Sequence, residues 1–321
     1  MGLRIVFMGT PEFAVASLAK LIAEGYEIVA VVTAPDKPAG RGQKIQYSQV
    51  KQYAIEKSIP ILQPEKLRDL QFVEQLKKYN ADLFIVVAFR MLPELVWRIP
   101  RLGTINLHAS LLPQYRGAAP INWAIINGET ESGITTFLIE KDIDTGNILL
   151  NKKVPIGPDD NAGNLHDRLM LAGSDLLIKT IRGIEDKSIK PISQNELLKS
   201  QTEIRPAPKL FKENCRINWD RDSLKIFNLI RGLSPFPAAW SIIQNKKDKK
   251  EIVVKIFQSE LLKNVSKEPG TIISDSRKFM NVATADTFIS IKELQIEGKK
   301  RLTIEEFLRG FHGIEEYRFI N

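Results

Sequence analysis

The stretch 3-LRIVFMGTPEFAVASLAKLIAEGYEIVAVVT-33 changes its hydrophobic period twice. Residues 3–9 (LRIVFMG) and 26–33 (YEIVAVVT) are short runs rich in β-branched residues, the composition of buried strands. Between them, FAVASLAKLIAEG spaces its apolar residues as one face of a helix requires. Strand, helix and strand in succession make a βαβ unit. Downstream, the alternation continues with a helix near 66–79, a strand DLFIVVA at 82–88, a strand TINLH at 104–108 and a helix near 119–127. This order predicts an α/β fold built on a mainly parallel sheet with helices on both faces. In such sheets ligands collect beyond the carboxyl ends of the strands.

The pattern is Rossmann-like and raises the question of a dinucleotide at the first loop, 8-MGTPEFA-14. That loop holds one glycine where the dinucleotide fingerprint has three. It reads instead as a pocket-lining turn, with Gly9, Thr10 and Pro11 on the substrate side and backbone N–H groups at a helix start. Past a helix at 161–183, the segment EDKSIKPISQNELLKSQTEIRPAPKL is polar, proline-punctuated and aperiodic, as a linker would be. A helix near 221–232 follows, then β-like runs EIVVKIF, GTIISD and TFISIKELQ separated by turn residues. The expected organisation is a catalytic domain over 1–189, a linker over 190–206, and a smaller β-rich, OB-like barrel over 207–321.

Composition narrows the class. Hydrophobic residues make up 43% and charged residues 26% of the 321, ordinary values for a soluble globular chain. No apolar run approaches the roughly 20 residues that span a bilayer, and the N-terminus lacks the long apolar stretch and cleavage site of a secretory signal. Cys215 is the single cysteine, which excludes an internal disulfide and suggests a reduced, cytoplasmic setting. No His or Cys pair has metal-ligand spacing, so no metal is expected. The net charge is +8, and residues 201–321 carry 22 Lys and Arg against 16 Asp and Glu, so six of those charges lie in the last third. A basic excess gathered in that way favours nucleic acid as a partner.

The chemistry is concentrated in 104-TINLHASLLPQYRG-117. Successive side chains of a strand alternate between faces, so Asn106 and His108 share one face while Ile105 and Leu107 share the other. His108, one of three histidines, stands where the strand runs into a loop. Asp144, in 142-DIDTG-146, lies 36 residues beyond it, after a strand-like run ITTFLIE. An amide, an imidazole and a carboxylate at the loop ends of one parallel sheet supply an oxyanion donor, a proton-transfer group and a charge supporting a protonated ring. No Ser or Cys nucleophile joins the set. Acyl-type transfer by direct attack of a substrate amine therefore fits better than a covalent enzyme intermediate.

N-x-H followed by SLLPxYRG, with DTG further on, resembles the folate-dependent formyltransferases. The opening VFMGTPEFA is similar to the branch of that family acting on charged initiator tRNA, and so are 34-APDKPAGRGQK-44, 207-APKLFKENCRINW-219, 230-IRGLSPFPAAW-240 and 298-GKKRLTIEEFLRG-310. Two stretches depart from the pattern: Ala109, where proline is usual, and 89-FRMLP-93, where many members have a Tyr-Gly pair. The resemblance implies transfer of the formyl group of 10-formyltetrahydrofolate, a co-substrate, to the α-amino group of methionyl initiator tRNA, by a monomer, for translation initiation. Asn106 and His108 are expected to stabilise the oxyanion, with Asp144 orienting His108. The donor is expected along Phe89, Arg90, Met91 and Leu92, along Ser110, Leu111, Leu112 and Pro113, and near Ile139, Glu140 and Asp142. Expected tRNA contacts are Arg41 and Lys44, the cluster Lys246, Lys247, Lys249 and Lys250, and Lys299, Lys300 and Arg301.

Three other readings compete. A formyltransferase acting on a small amine, such as a purine precursor or an amino sugar, has no use for the basic second domain. A nucleotide-binding dehydrogenase lacks its glycine fingerprint, and a non-catalytic RNA-binding protein leaves Asn106, His108 and Asp144 without a task.

Overall fold

The computed structural model describes residues 2–39, 44–198, 203–263 and 267–321. In chain order its first elements are β1 (Arg4–Gly9), α1 (Glu12–Ala23), β2 (Glu27–Val32), β3 (Lys37–Ala39), β4 (Lys44–Gln46), α2 (Gln49–Glu56), β5 (Ile61–Leu62), α3 (Leu70–Lys77), β6 (Leu83–Val87), α4 (Glu94–Trp97) and β7 (Thr104–His108). There follow α5 (Pro120–Ile126), β8 (Glu131–Leu138), β9 (Ile148–Pro155), α6 (Ala162–Glu185), α7 (Gln194–Leu198) and α8 (Ser223–Leu233). The last elements are β10 (Ala239–Asn245), β11 (Glu251–Leu262), β12 (Ile272–Ser274), β13 (Met280–Ala283), β14 (Phe288–Ile296), β15 (Arg301–Thr303), α9 (Ile304–Gly310) and β16 (Tyr317–Ile320).

The chain forms two compact units. The first takes Met1–Gly117, Ser132–Pro155 and His166–Ala207. Its sheet runs β5-β2-β1-β6-β7-β8-β9, parallel from β5 through β7 and antiparallel between β7 and β8. Helix α1 buries Phe13, Ala14, Ser17, Leu18 and Leu21, the positions that helical periodicity brings to one face. It packs close to the sheet because Gly9 has no side chain: a Cβ there would stand 2.7 Å from the Ala14 Cβ and 3.0 Å from the Val87 carbonyl oxygen. Helix α3 starts later than its apolar spacing suggests, because the Asp69 carboxylate accepts the Gln71 N–H at 2.9 Å and caps it there. Its Phe72, Val73 and Leu76 pack in one core with Val6, Met8, Val32, Phe84 and Val86 of the sheet.

The second unit takes Ala118–Glu131, Ile156–Leu165 and Pro208–Asn321. Its antiparallel sheet runs β12-β13-β14-β11-β10-β16, with β15 beside β14. A bridge between Thr271 and Arg318 joins the two outer strands, so the sheet is a nearly closed barrel. Closure removes the exposed edges that an open antiparallel sheet would leave. Trp219 fills the core against Phe319, with ring centroids 4.7 Å apart, and its indole N–H donates to the Ser241 hydroxyl at 2.9 Å. Helix α5 joins this unit, where the Asn122 amide donates to the Gly232 carbonyl of α8 at 2.7 Å. Among the described residues no helix is long and apolar enough to cross a membrane.

Candidate active site

Strand order sets the place of the site. β1 has β2 on one side and β6 on the other, which makes the carboxyl end between β1 and β6 a topological switch point. Gly9 pairs with Val87, and Val87 with Leu107, so the loops after β1, β6 and β7 leave from one edge of the sheet. Asp144 reaches this edge by another route than the spacing suggests. β8 runs antiparallel to β7, with Leu138 opposite Ile105, so its carboxyl end lies at the far edge. The segment 139–147 turns back, and Asp144 enters with a backbone φ of 55°, in the left-handed region that L-residues seldom adopt.

His108 is 7% exposed and Asn106 is half-buried. The His108 Nε2 lies 2.9 Å from the Tyr115 carbonyl oxygen. A carbonyl only accepts, so Nε2 carries the proton. Nδ1 faces the Asp144 carboxylate at 3.7 Å, beyond a direct hydrogen bond, and keeps its capacity for other partners. The same carboxylate oxygen accepts the Gly117 N–H at 2.9 Å. Among the described residues the Asn106 amide makes no hydrogen bond and stays available to a ligand. Beside this group, Arg116 donates through Nε and Nη2 to the Gln194 Oε1 at 3.0 and 2.6 Å. Burial lowers the Arg116 pKa from its ordinary value, and the Asp144 charge opposes that shift.

The residues assigned to the donor have mixed surroundings. Arg90 donates to the carbonyls of Pro64 and Glu65 at 2.8 and 3.0 Å and lies over the Phe89 ring; its pKa is lowered by burial. Leu92 belongs to the core of the first unit, whereas Met91 is 70% exposed. Ser110 is fully buried and donates to the Gln114 carbonyl at 2.6 Å. Leu111 lies over Gly133, and Leu112 packs on Phe137 and Ile148, ahead of buried Pro113. Ile139 is partly buried and donates its N–H to the Thr104 carbonyl at 2.7 Å, while Glu140 and Asp142 are both exposed. In the first loop, Thr10 is partly exposed and Pro11 is the N-cap of α1.

Of the cations expected to meet tRNA, Arg41 lies outside the described residues, and Lys44 is described only as the backbone that begins β4. Lys246, Lys247, Lys249 and Lys250 occupy the turn between β10 and β11, and Lys299 and Lys300 the turn before β15. Val254 pairs with Ile296, so both turns leave the barrel at the same end of β11 and β14. Lys246 donates to the Glu315 carbonyl at 2.7 Å and Lys247 pairs with Glu316 at 3.1 Å. Such exposed pairs are weak and leave the charge usable by a phosphate. Arg301 is more committed, paired with Glu293 and stacked over Phe257. Sequence reasoning missed Gln194, which the linker-like segment conceals, and gave no role to Arg116 or Gly117 inside the quoted motif.

Comparison with known proteins bears on both units. Residues 3–181 match the model of the formyl transferase family, and residues 209–312 that of the formyl transferase C-terminal domain. The chain is 54% identical over 317 residues to the methionyl-tRNA formyltransferase of Bacteroides thetaiotaomicron, covering 98% of each chain. It is 52% identical over 309 residues to the enzyme of that name from Flavobacterium johnsoniae, covering 96% of each. Among solved structures, an N-formyltransferase from Helicobacter canadensis, complexed with folinic acid and dTDP-3-aminofucose, shares the fold at a TM-score of 0.63 and 22% identity. That match covers 94% of this chain and all of the other. HypX from Aquifex aeolicus, in complex with tetrahydrofolic acid, matches with a TM-score of 0.64 and 18% identity over 96% of this chain and 47% of the other.

Proposed function

Because the chain belongs to the formyl transferase family and matches methionyl-tRNA formyltransferases along nearly its whole length, we propose that it formylates the α-amino group of methionyl initiator tRNA. The donor is 10-formyltetrahydrofolate, in keeping with the tetrahydrofolate held by one structural neighbour and the folinic acid held by another. The observation that carries this reading is the convergence of a free Asn106 amide, His108 and Asp144 at the sheet edge. The exposed apolar side chains of Met91 and Ile143, on two loops the family assigns to the donor, suit the body of a folate.

When bound, the folate supplies the activated formyl group. Asn106 donates its amide N–H to the formyl oxygen, and that bond strengthens as negative charge builds there. His108 is tied through Nε2 to Tyr115 and keeps Nδ1, on the Asp144 side, without a direct hydrogen bond. The Asp144 carboxylate, 3.7 Å away, offsets the positive charge of the ring when it is protonated. The attacking amine needs no strong base, since an α-amino group titrates near about 8 and an adjacent ester lowers that. Positioning and charge stabilisation are therefore the main tasks of the site. The cations at one end of the barrel serve the tRNA backbone.

Steady-state assays with 10-formyltetrahydrofolate and a choice of acceptors test this reading. Charged initiator tRNA is expected to be formylated with a kcat/KM far above that of amino sugars or small primary amines. Comparable values for a small amine would overturn it.

A further inference from the structure

We propose that Gln194 is a positioning residue for the reaction, locking the turn that carries Asp144. This deepens the reading of Asp144 given above and rests on it. Gln194 is 1% exposed. Its amide nitrogen donates to the carbonyls of Asp144 and Gly146, at 2.9 and 2.8 Å. Its Oε1 accepts two N–H groups of Arg116. Both donors and the acceptor of the amide are thus in use, and a buried amide fully satisfied in this way specifies one geometry.

That geometry is one the Asp144 turn has local reason to leave. Asp144 sits at φ 55°, in the left-handed region that L-residues seldom adopt, and such positions persist where the surroundings over-determine them. The Gln194 amide holds the backbone on the Asp144 carbonyl and two residues later on Gly146, while the Gly117 N–H holds the carboxylate. The Oε1 contact adds Arg116, the neighbour of Gly117 in sequence. One side chain therefore ties the Asp144 turn and the segment that meets its carboxylate to a position 50 residues away in sequence. Without it, the carboxylate is free to drift from the 3.7 Å that separates it from His108 Nδ1, and displacements of about 1 Å cost up to ~100-fold in rate.

The test compares Gln194→Ala, Gln194→Glu, Asp144→Ala and the Asp144→Ala/Gln194→Glu double variant of the full chain. The readouts are single-turnover formyl transfer to charged initiator tRNA and the dissociation constants of donor and tRNA. Gln194→Glu keeps the acceptor for Arg116 and removes both donors to the turn. It is expected to lower the transfer rate about 10- to 100-fold, with donor and tRNA affinities near wild type, and Gln194→Ala is expected to match it. In the Asp144→Ala background the same change is expected to cost nothing further, since residues acting as a unit are not additive. A wild-type rate for Gln194→Glu, an equal fold-reduction in the two backgrounds, or an effect seen only as weaker binding would overturn the proposal. A wild-type rate for Asp144→Ala would instead overturn the reading of the site itself.

Discussion

His108 offers one ring nitrogen to a backbone carbonyl and the other to a carboxylate that stands just too far for a direct bond. Removing the carboxylate charge while keeping its shape separates hydrogen bonding from electrostatics. Asp144→Asn is expected to retain the Gly117 contact through the side-chain oxygen and still lower kcat by about 10-fold or more, because the ring charge is then uncompensated. An unchanged kcat would make Asp144 a turn residue only. Arg90 has the opposite expectation. Both terminal nitrogens of its guanidinium are engaged by the Pro64 and Glu65 carbonyls, so Arg90→Ala is expected to lower unfolding stability by about 1–3 kcal/mol, with the donor dissociation constant, read by fluorescence titration, near wild type. A large drop in donor affinity at unchanged stability would return Arg90 to the donor pocket. Asn106 and His108 were legible because strand alternation is a local rule. The path of Asp144 was not, since the antiparallel pairing of β8 depends on a distant strand. Gln194 left no signal in a polar, aperiodic segment.

Among the elements, those with a strong period read well. The spacing located α1, α5, α6 and α8 to within a few residues, and the runs read as strands correspond to β1, β2, β6, β7, β8, β11, β12 and β14. Elements shaped by context were missed. β9 has three consecutive exposed residues, Asn151 to Lys153, where alternation would place a core position, and α7 is a five-residue helix inside the expected linker. The barrel seam is likewise a matter of close approach rather than pattern. Gly270 sits at φ 82°, a Cβ there would stand 2.2 Å from the Phe319 carbonyl oxygen, and the Gly270 carbonyl accepts the Phe319 N–H at 2.8 Å across the seam. Gly270→Ala is therefore expected to destabilise the second unit by about 1–3 kcal/mol in urea unfolding followed by tryptophan fluorescence. An unshifted midpoint would mean that the seam contributes little. At the start of α9, Thr303 and Glu306 form a reciprocal capping box, and Thr303→Ala is expected to cost about 1 kcal/mol in the same assay.

Across the whole molecule, charge is unevenly spread, with six of the eight net positive charges in residues 201–321. The compact units interleave along the chain, since 118–131 and 156–165 belong with the second unit, so the full chain is the right material for testing that charge. Replacing Lys246, Lys247, Lys249 and Lys250 by Gln is expected to weaken tRNA binding. It is also expected to make the slope of log affinity against log salt shallower, by about one for each phosphate no longer neutralised. An unchanged slope would put the tRNA elsewhere. Whether the sheet-edge group performs the chemistry is decided by the single-turnover rate of formyl transfer to charged initiator tRNA in Asn106→Ala, with donor and tRNA both saturating. The expected rate is lower by about 10²- to 10³-fold, the effect of removing one oxyanion donor, with both affinities near wild type. A wild-type rate under saturation would mean that the reaction takes place without this group.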